Sequence, residues 1–325
     1  MRRREFISLM SAVAASPIAA RAQLLAKHPT VGVLHPGQAE SMAQRLTAVR
    51  EGLNRSDDRG NQAIDLVVRL ADGNLSRLPA LATGLIEARV DAILAAGPPA
   101  VQAARATTAT IPIIAIDLET DPVASALIAS LGRPGGNVTG VFLDFPDFSA
   151  KCLQILVESV PALPAIGVLW DPTTGSLQLE AVQAAASRYG IRVQVLEARR
   201  VADIAEAFYA VDRSRLPGIL VLSSPLFGGN PQILADLAMR RRLPTISVFP
   251  DIAREGGLLS YGPEIQDLYR QAADMARKII RGAAVAETPV ERPTRYLLIA
   301  NVKTAKVFGI TLPPSVLLRA DEVIE

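Results

Sequence analysis

The carboxylates of Asp117 and Asp171, the hydroxyls of Ser223 and Ser224, the imidazole of His35 and the rings of Trp170 and Tyr261 can bond, ion-pair or stack with a small polar molecule. Gly97-Pro98-Pro99 adds a helix start, whose backbone N–H groups and positive dipole end suit an anion or a carboxylate. Each of these groups also has a purely structural reading. Asp117 and Asp171 can cap turns, Gly97-Pro98-Pro99 can simply end a strand and begin a helix, and Tyr261 and Trp170 can pack at an edge. A lone histidine such as His35 can be structural, and Cys152, inside an apolar helical pattern, reads as a buried inert thiol.

Catalytic and cofactor signatures are missing from the pattern. The turn His35-Pro-Gly-Gln-Ala-Glu40 is not the G-x-G-x-x-G of dinucleotide sites, and no G-x-x-x-x-G-K-[ST], H-E-x-x-H or G-x-S-x-G occurs. Two histidines and one cysteine give no N/S metal cluster and no intramolecular disulfide. No cofactor and no metal are therefore expected. Carboxylates distant in sequence can still meet in a cleft, which leaves an enzyme as the rival reading.

The elements that must position these groups alternate regularly. Short β-branched runs at 30–34, 64–70, 92–95 and 113–116 are separated by amphipathic stretches at 41–55, 75–88 and 98–107, the pattern of a parallel α/β sheet. The order recurs with strands at 165–169, 192–197, 218–223 and 245–248. Val31-Gly-Val-Leu-His-Pro36 parallels Ile166-Gly-Val-Leu-Trp-Asp-Pro172, Ile111-Pro-Ile-Ile-Ala-Ile116 parallels Leu243-Pro-Thr-Ile-Ser-Val248, and Gly135-Gly-Asn-Val-Thr-Gly140 parallels Gly256-Gly-Leu-Leu-Ser-Tyr-Gly262. Several matches in one order, at offsets of 121 to 135 residues, predict two similar lobes. A periodic helix over 265–280, a strand over 296–300 and a helix over 302–308 follow. Segments 144–146, 261–263 and 288–293 read as three crossings of a hinge. This places 28–143 with 262–287 in one lobe and 144–261 with 288–325 in the other. The chemical groups then fall beyond the carboxyl ends of the strands, on two rims that share one cleft.

Residues 1–22 read as a removable export signal, with a basic start, a short apolar stretch and Ala20-Arg21-Ala22 as the cleavage site. Arg3-Arg4-Glu5-Phe6-Ile7 fits the twin-arginine pattern, which implies export in the folded state. No cysteine follows the site to carry a lipid, so a free protein outside the cytoplasm is expected. Removing this segment takes away four arginines and one glutamate and leaves 30 basic and 31 acidic residues. Near-neutral charge, with no basic run longer than Arg240-Arg241-Arg242, gives no footprint for nucleic acid.

The chain resembles the ABC transporter substrate-binding proteins of the group often linked to tryptophan and tyrosine uptake. The resemblance is carried by Arg2-Arg-Arg-Glu-Phe-Ile7, Leu78-Pro-Ala-Leu-Ala82, Ile111-Pro-Ile113, Asp121-Pro-Val123, Leu131-Gly-Arg-Pro-Gly-Gly-Asn-Val-Thr-Gly140, Ser260-Tyr-Gly262, Ile299-Ala-Asn-Val-Lys-Thr-Ala-Lys306 and Leu312-Pro-Pro-Ser-Val-Leu-Leu-Arg-Ala-Asp-Glu-Val-Ile-Glu325. It implies a periplasmic binding protein-like fold, α/β, with two Rossmann-like lobes of parallel sheet joined by a three-crossing hinge. It further implies a monomer in the periplasm that closes on a small ligand and docks on an inner-membrane ABC permease driven by its ATPase, without catalysis. A sensor contacting a receptor in place of a permease has the same sequence features. Relatives of this group often carry G-T-P where Gly97-Pro98-Pro99 stands, and an acidic residue near Ser223-Ser224-Pro225. That difference bears on how an amino acid's ammonium group would be recognised.

Overall fold

The computed structural model describes residues 28–55, 63–143, 145–160, 163–214 and 216–325. The expected export signal with its twin-arginine pattern, and the first residue of the first expected crossing, lie outside these residues.

The first sheet consists of β1 (Thr30–His35), β2 (Asp65–Leu70), β3 (Ala92–Ala96), β4 (Ile113–Asp117) and β5 (Val138–Phe142), in the order β2-β1-β3-β4-β5. All its pairings are parallel. Every residue of β1, β3 and β4 is buried, whereas the edge strand β2 is only half-buried. Parallel strands are covered by helices on both faces, and their sequences are continuously apolar for that reason. The covering helices are α1 (Ala39–Leu53), α2 (Leu78–Glu87) and α3 (Pro98–Thr107).

The second sheet contains β6 (Ala165–Trp170), β7 (Arg192–Glu197), β8 (Ile219–Val221), β9 (Thr245–Ser247), β10 (Leu259–Pro263), β11 (Tyr296–Asn301) and β12 (Glu322–Ile324), in the order β12-β11-β10-β9-β8-β6-β7. Around it lie α4 (Phe145–Ser159), α5 (Leu177–Arg188), α6 (Val201–Ser214), α7 (Pro225–Gly228), α8 (Pro231–Arg241) and α9 (Pro250–Arg254). Two α/β lobes are thus present, as expected. The second sheet departs from the all-parallel expectation, because β11 runs antiparallel to β10 with Pro263 opposite Tyr296.

The path of the chain explains that reversal. After Pro263 the chain enters α10 (Ile265–Ile280), which packs on α1 of the first lobe, with the Arg270 carbonyl and Ala273 against Gly52. Gly52 permits this close packing, since a Cβ there would overlap the Arg270 carbonyl oxygen. The returning chain follows β5. Glu291 N–H donates to Gly140 O (2.9 Å) and Phe142 N–H donates to Glu291 O (3.0 Å). It then re-enters the second sheet at the end where β10 left, so β11 must run back along β10.

Two expected crossings shift accordingly. Residues 261–263 belong to strand β10, and the segment 288–291 lies along the first sheet, where Thr139 Oγ1 donates to Thr288 O (2.8 Å). α11 (Val302–Phe308) and α12 (Pro314–Leu317) precede the last strand.

Candidate functional site

The carboxyl ends of both sheets face one another and are in contact. Arg45, buried on α1, donates from Nη2 to the Gly228 carbonyl of α7 (2.7 Å). Ser223 Oγ, just after β8, donates to Glu119 Oε1, just after β4 (2.6 Å). Gly97, at the end of β3, lies against Pro225 so closely that a Cβ would overlap the proline ring. These are contacts between lobes, and they describe a closed cleft.

The first lobe brings two acids and a base to this contact. Asp117 is fully buried. Its Oδ1 accepts the N–H groups of Glu119 and Thr120 (both 2.9 Å), and its Oδ2 has no hydrogen-bond partner among the described residues. Glu119 is 3% exposed and accepts Leu118 N–H at Oε2 (3.1 Å). Burial raises the pKa of Asp117; burial first, then the neighbouring Asp117 charge, raises Glu119 well above the carboxylate range.

His35 is pushed the other way, well below its ordinary value, by burial and then by the Arg45 guanidinium, and it is neutral. Its Nδ1 accepts Gly37 N–H (2.8 Å), while Arg45 Nη1 faces Nε2 at 3.2 Å. A neutral imidazole has one unprotonated nitrogen, so it accepts from only one of these two donors. The Arg45 guanidinium also lies 5.7 Å from the ring centre of Tyr269 on α10.

The second lobe supplies a pinned pair of serines. Gln178 holds both backbone groups of Ser223, donating from Nε2 to its carbonyl (3.0 Å) and accepting its N–H at Oε1 (2.8 Å). Ser224 Oγ donates to Asp171 Oδ2 (2.6 Å) and accepts Leu226 N–H at the start of α7 (3.0 Å). Asp171 Oδ1 accepts both the N–H and the hydroxyl of Thr173 (3.0 and 2.7 Å).

Pro225 separates two cavities in the cleft. The inner one, about 370 Å³ counting space open to solvent, is lined by His35, Arg45, Gly97, Glu119, Phe249 and Tyr269 among others. The outer one, about 550 Å³ on the same basis, is lined by Pro36, Ser41, Pro99, Asp171, Thr173 and Arg199 among others.

Of the residues expected from sequence, His35, Gly97, Asp117, Asp171, Ser223 and Ser224 meet at this contact. Three do not contribute as expected. The helix start after Gly97 offers no free N–H, because Pro98 and Pro99 have none, Ala100 and Val101 N–H donate to Gly97 O (both 3.1 Å), and Gly97 N–H donates to Ile116 O (2.8 Å). Trp170 is turned into its own lobe, packing on the second sheet's core while its Nε1 donates to Gly175 O (2.8 Å). Tyr261 stacks on Phe148 (5.0 Å between centres) beside Tyr296, away from both cavities.

The sequence reading missed Arg45, Glu119, Gln178 and Tyr269. Arg45 had a visible signal. It occupies the helical face marked by Met42 and Val49, where a charged residue is out of place unless it has a task.

Comparison with known proteins agrees with this geometry. The family model described as ABC transporter substrate binding protein matches residues 30–324. A tyrosine-binding protein of Clostridioides difficile is 23% identical over 286 residues, covering 87% of this chain and 82% of that protein. A crystal structure from Streptococcus pneumonia, described as an ABC domain in complex with L-Trp, is 25% identical with a TM-score of 0.80, covering 91% of this chain and all (100%) of that one. The ligand-free, open structure of a substrate binding protein with adhesive properties from Clostridium difficile is 22% identical with a TM-score of 0.62, covering 91% of this chain and 99% of that one.

Proposed function

The chain belongs to the ABC transporter substrate binding protein family, and on that premise we propose that it captures an amino-acid-like molecule between its lobes and delivers it to an ABC permease. The observation that carries the ligand class is the presence of Arg45 and Glu119 together on the wall of one cavity between the lobes. Arg45 has no carboxylate partner among the described residues, and its bonds go to Gly228 O and towards His35. A ligand carboxylate suits Arg45, a ligand ammonium suits the Asp117–Glu119 pair, and a flat or apolar portion suits Phe249 and Tyr269. The tyrosine-binding relative and the L-Trp complex support the same class.

Micromolar affinity needs about 8 kcal/mol. A charge-assisted hydrogen bond contributes about 1.5–3 kcal/mol, so burial of the apolar portion at ~25 cal/mol per Å² must supply the rest. A thermal-shift screen over amino acids, aromatic acids, purines and small sugars identifies the ligand, and calorimetry on Arg45→Met and Glu119→Gln tests the assignment. Zwitterionic hits that lose at least tenfold affinity in both variants support it. Uncharged hits that bind both variants like the parent overturn it, and conversion of the hit on incubation would establish an enzyme instead.

Export belongs to the same reading. Removal of residues 1–22 leaves Gln23 as the first residue of a periplasmic protein, and mass spectrometry of the exported chain checks this. Among the described residues, the lobes hinge near 263–265 and 292–295, where the chain passes between the sheets.

A further inference from the structure

We propose that closing the cleft takes up one proton, held by the Asp117–Glu119 pair. Both carboxyl groups are buried in the closed molecule, and they are neighbours in space as well as in sequence. The donors they receive are backbone N–H groups and the Ser223 hydroxyl, and no salt bridge neutralises either of them among the described residues. Asp117 Oδ2 is buried with no partner. A single proton held by the pair removes the repulsion between two neighbouring buried charges. Parting the lobes removes Ser223, admits water to both carboxyl groups and releases the proton.

The surrounding groups do not substitute for it. Arg45 on α1 is engaged with Gly228 O and His35, and Tyr269 on α10 is a buried phenol. From the second lobe, Asp171 is bonded to Ser224 and Thr173, and Asp251 of α9 adds a further acid near Arg45.

The sign follows from the raised closed-state affinity for the proton. The closing constant is level below the ordinary carboxylate range near pH ~4. It then falls by up to about tenfold per pH unit until the closed-state pair itself ionises. His35 acts in the opposite sense, because the closed form resists its protonation and acid would open the cleft through it.

This device does not depend on which ligand the cleft takes, so it is tested on ligand-free protein by small-angle scattering from pH 5 to pH 9. The radius of gyration of the parent should rise with pH. Glu119→Gln, whose amide N–H takes the place of the proton, should stay compact throughout, and so should Asp117→Asn, with thermal melts confirming that the variants fold. A parent whose radius does not change with pH, one that opens towards acid, or folded variants that open with pH as the parent does would overturn the proposal. If one variant does not fold, the other decides.

Discussion

Ser223 Oγ and Glu119 Oε1 lie 2.6 Å apart across the cleft although 104 residues separate them in the chain, whereas Ser224 bonds Asp171 within its own lobe. The two adjacent serines should therefore behave differently. Ser223→Ala leaves a buried carboxyl oxygen without its donor, at a cost of about 1–3 kcal/mol borne only by the closed form. Its ligand affinity should fall about tenfold with little change in melting temperature. Ser224→Ala removes a helix cap worth ~1 kcal/mol and should lower stability more than affinity. Calorimetry and thermal melts on both variants check the contrast.

Gly97→Ala should trap the cleft open. Gly97 has φ 79° and ψ 157°, a region nearly exclusive to glycine, so alanine costs about 1–3 kcal/mol in either form. The added methyl also strikes Pro225 when the lobes meet. Scattering at saturating ligand should show no compaction, and affinity should drop by more than tenfold.

Tyr261→Ala should act on stability. The ring is part of the Phe148–Tyr261–Tyr296 stack, and its removal should cost about 2 kcal/mol, less than the value for a fully buried aromatic. Denaturant unfolding should register that loss while ligand affinity stays within about threefold of the parent. Tyr261→Phe should match the parent in both.

Cys152 should be silent in the folded protein. Burial pushes its thiol up to about 12, so almost no thiolate exists at pH 8, and the group is sealed beneath the Tyr261 carbonyl. A thiol-specific reagent should release no signal from native protein at that pH and one equivalent in denaturant.

Much of the fold was legible because parallel strands buried on both faces leave apolar runs such as Ile113–Asp117, and because α10 keeps a strict 3.6-residue period from Ile265 to Ile280. Strands β5, β10 and β12 were not resolved. Gly140, Gly262 and Pro263 interrupt the first two with residues that read as turns, and the three-residue β12 is too short to show a period. The site was half legible. Residues at strand ends, such as Asp117 and Ser223, follow from topology. Arg45 and Tyr269 reach the cleft from the middle of helices, so their role depends on how α1 and α10 pack, which no local pattern states. The opposite error concerned Trp170 and Tyr261, since a strand end gives position along the sheet but not the direction of a ring.

The packing of α10 on α1 bears on how the chain acquires its structure. The first lobe closes its core with a helix encoded more than a hundred residues after its last strand, and the whole second-lobe segment from α4 to β10 intervenes. Residues 28–143 alone would leave the apolar face of α1 bare, so an N-terminal fragment should be a substrate for chaperones and proteases and not an independent domain. Such long-range closure slows folding. It also binds the fates of the two lobes, which should melt in a single cooperative calorimetric transition.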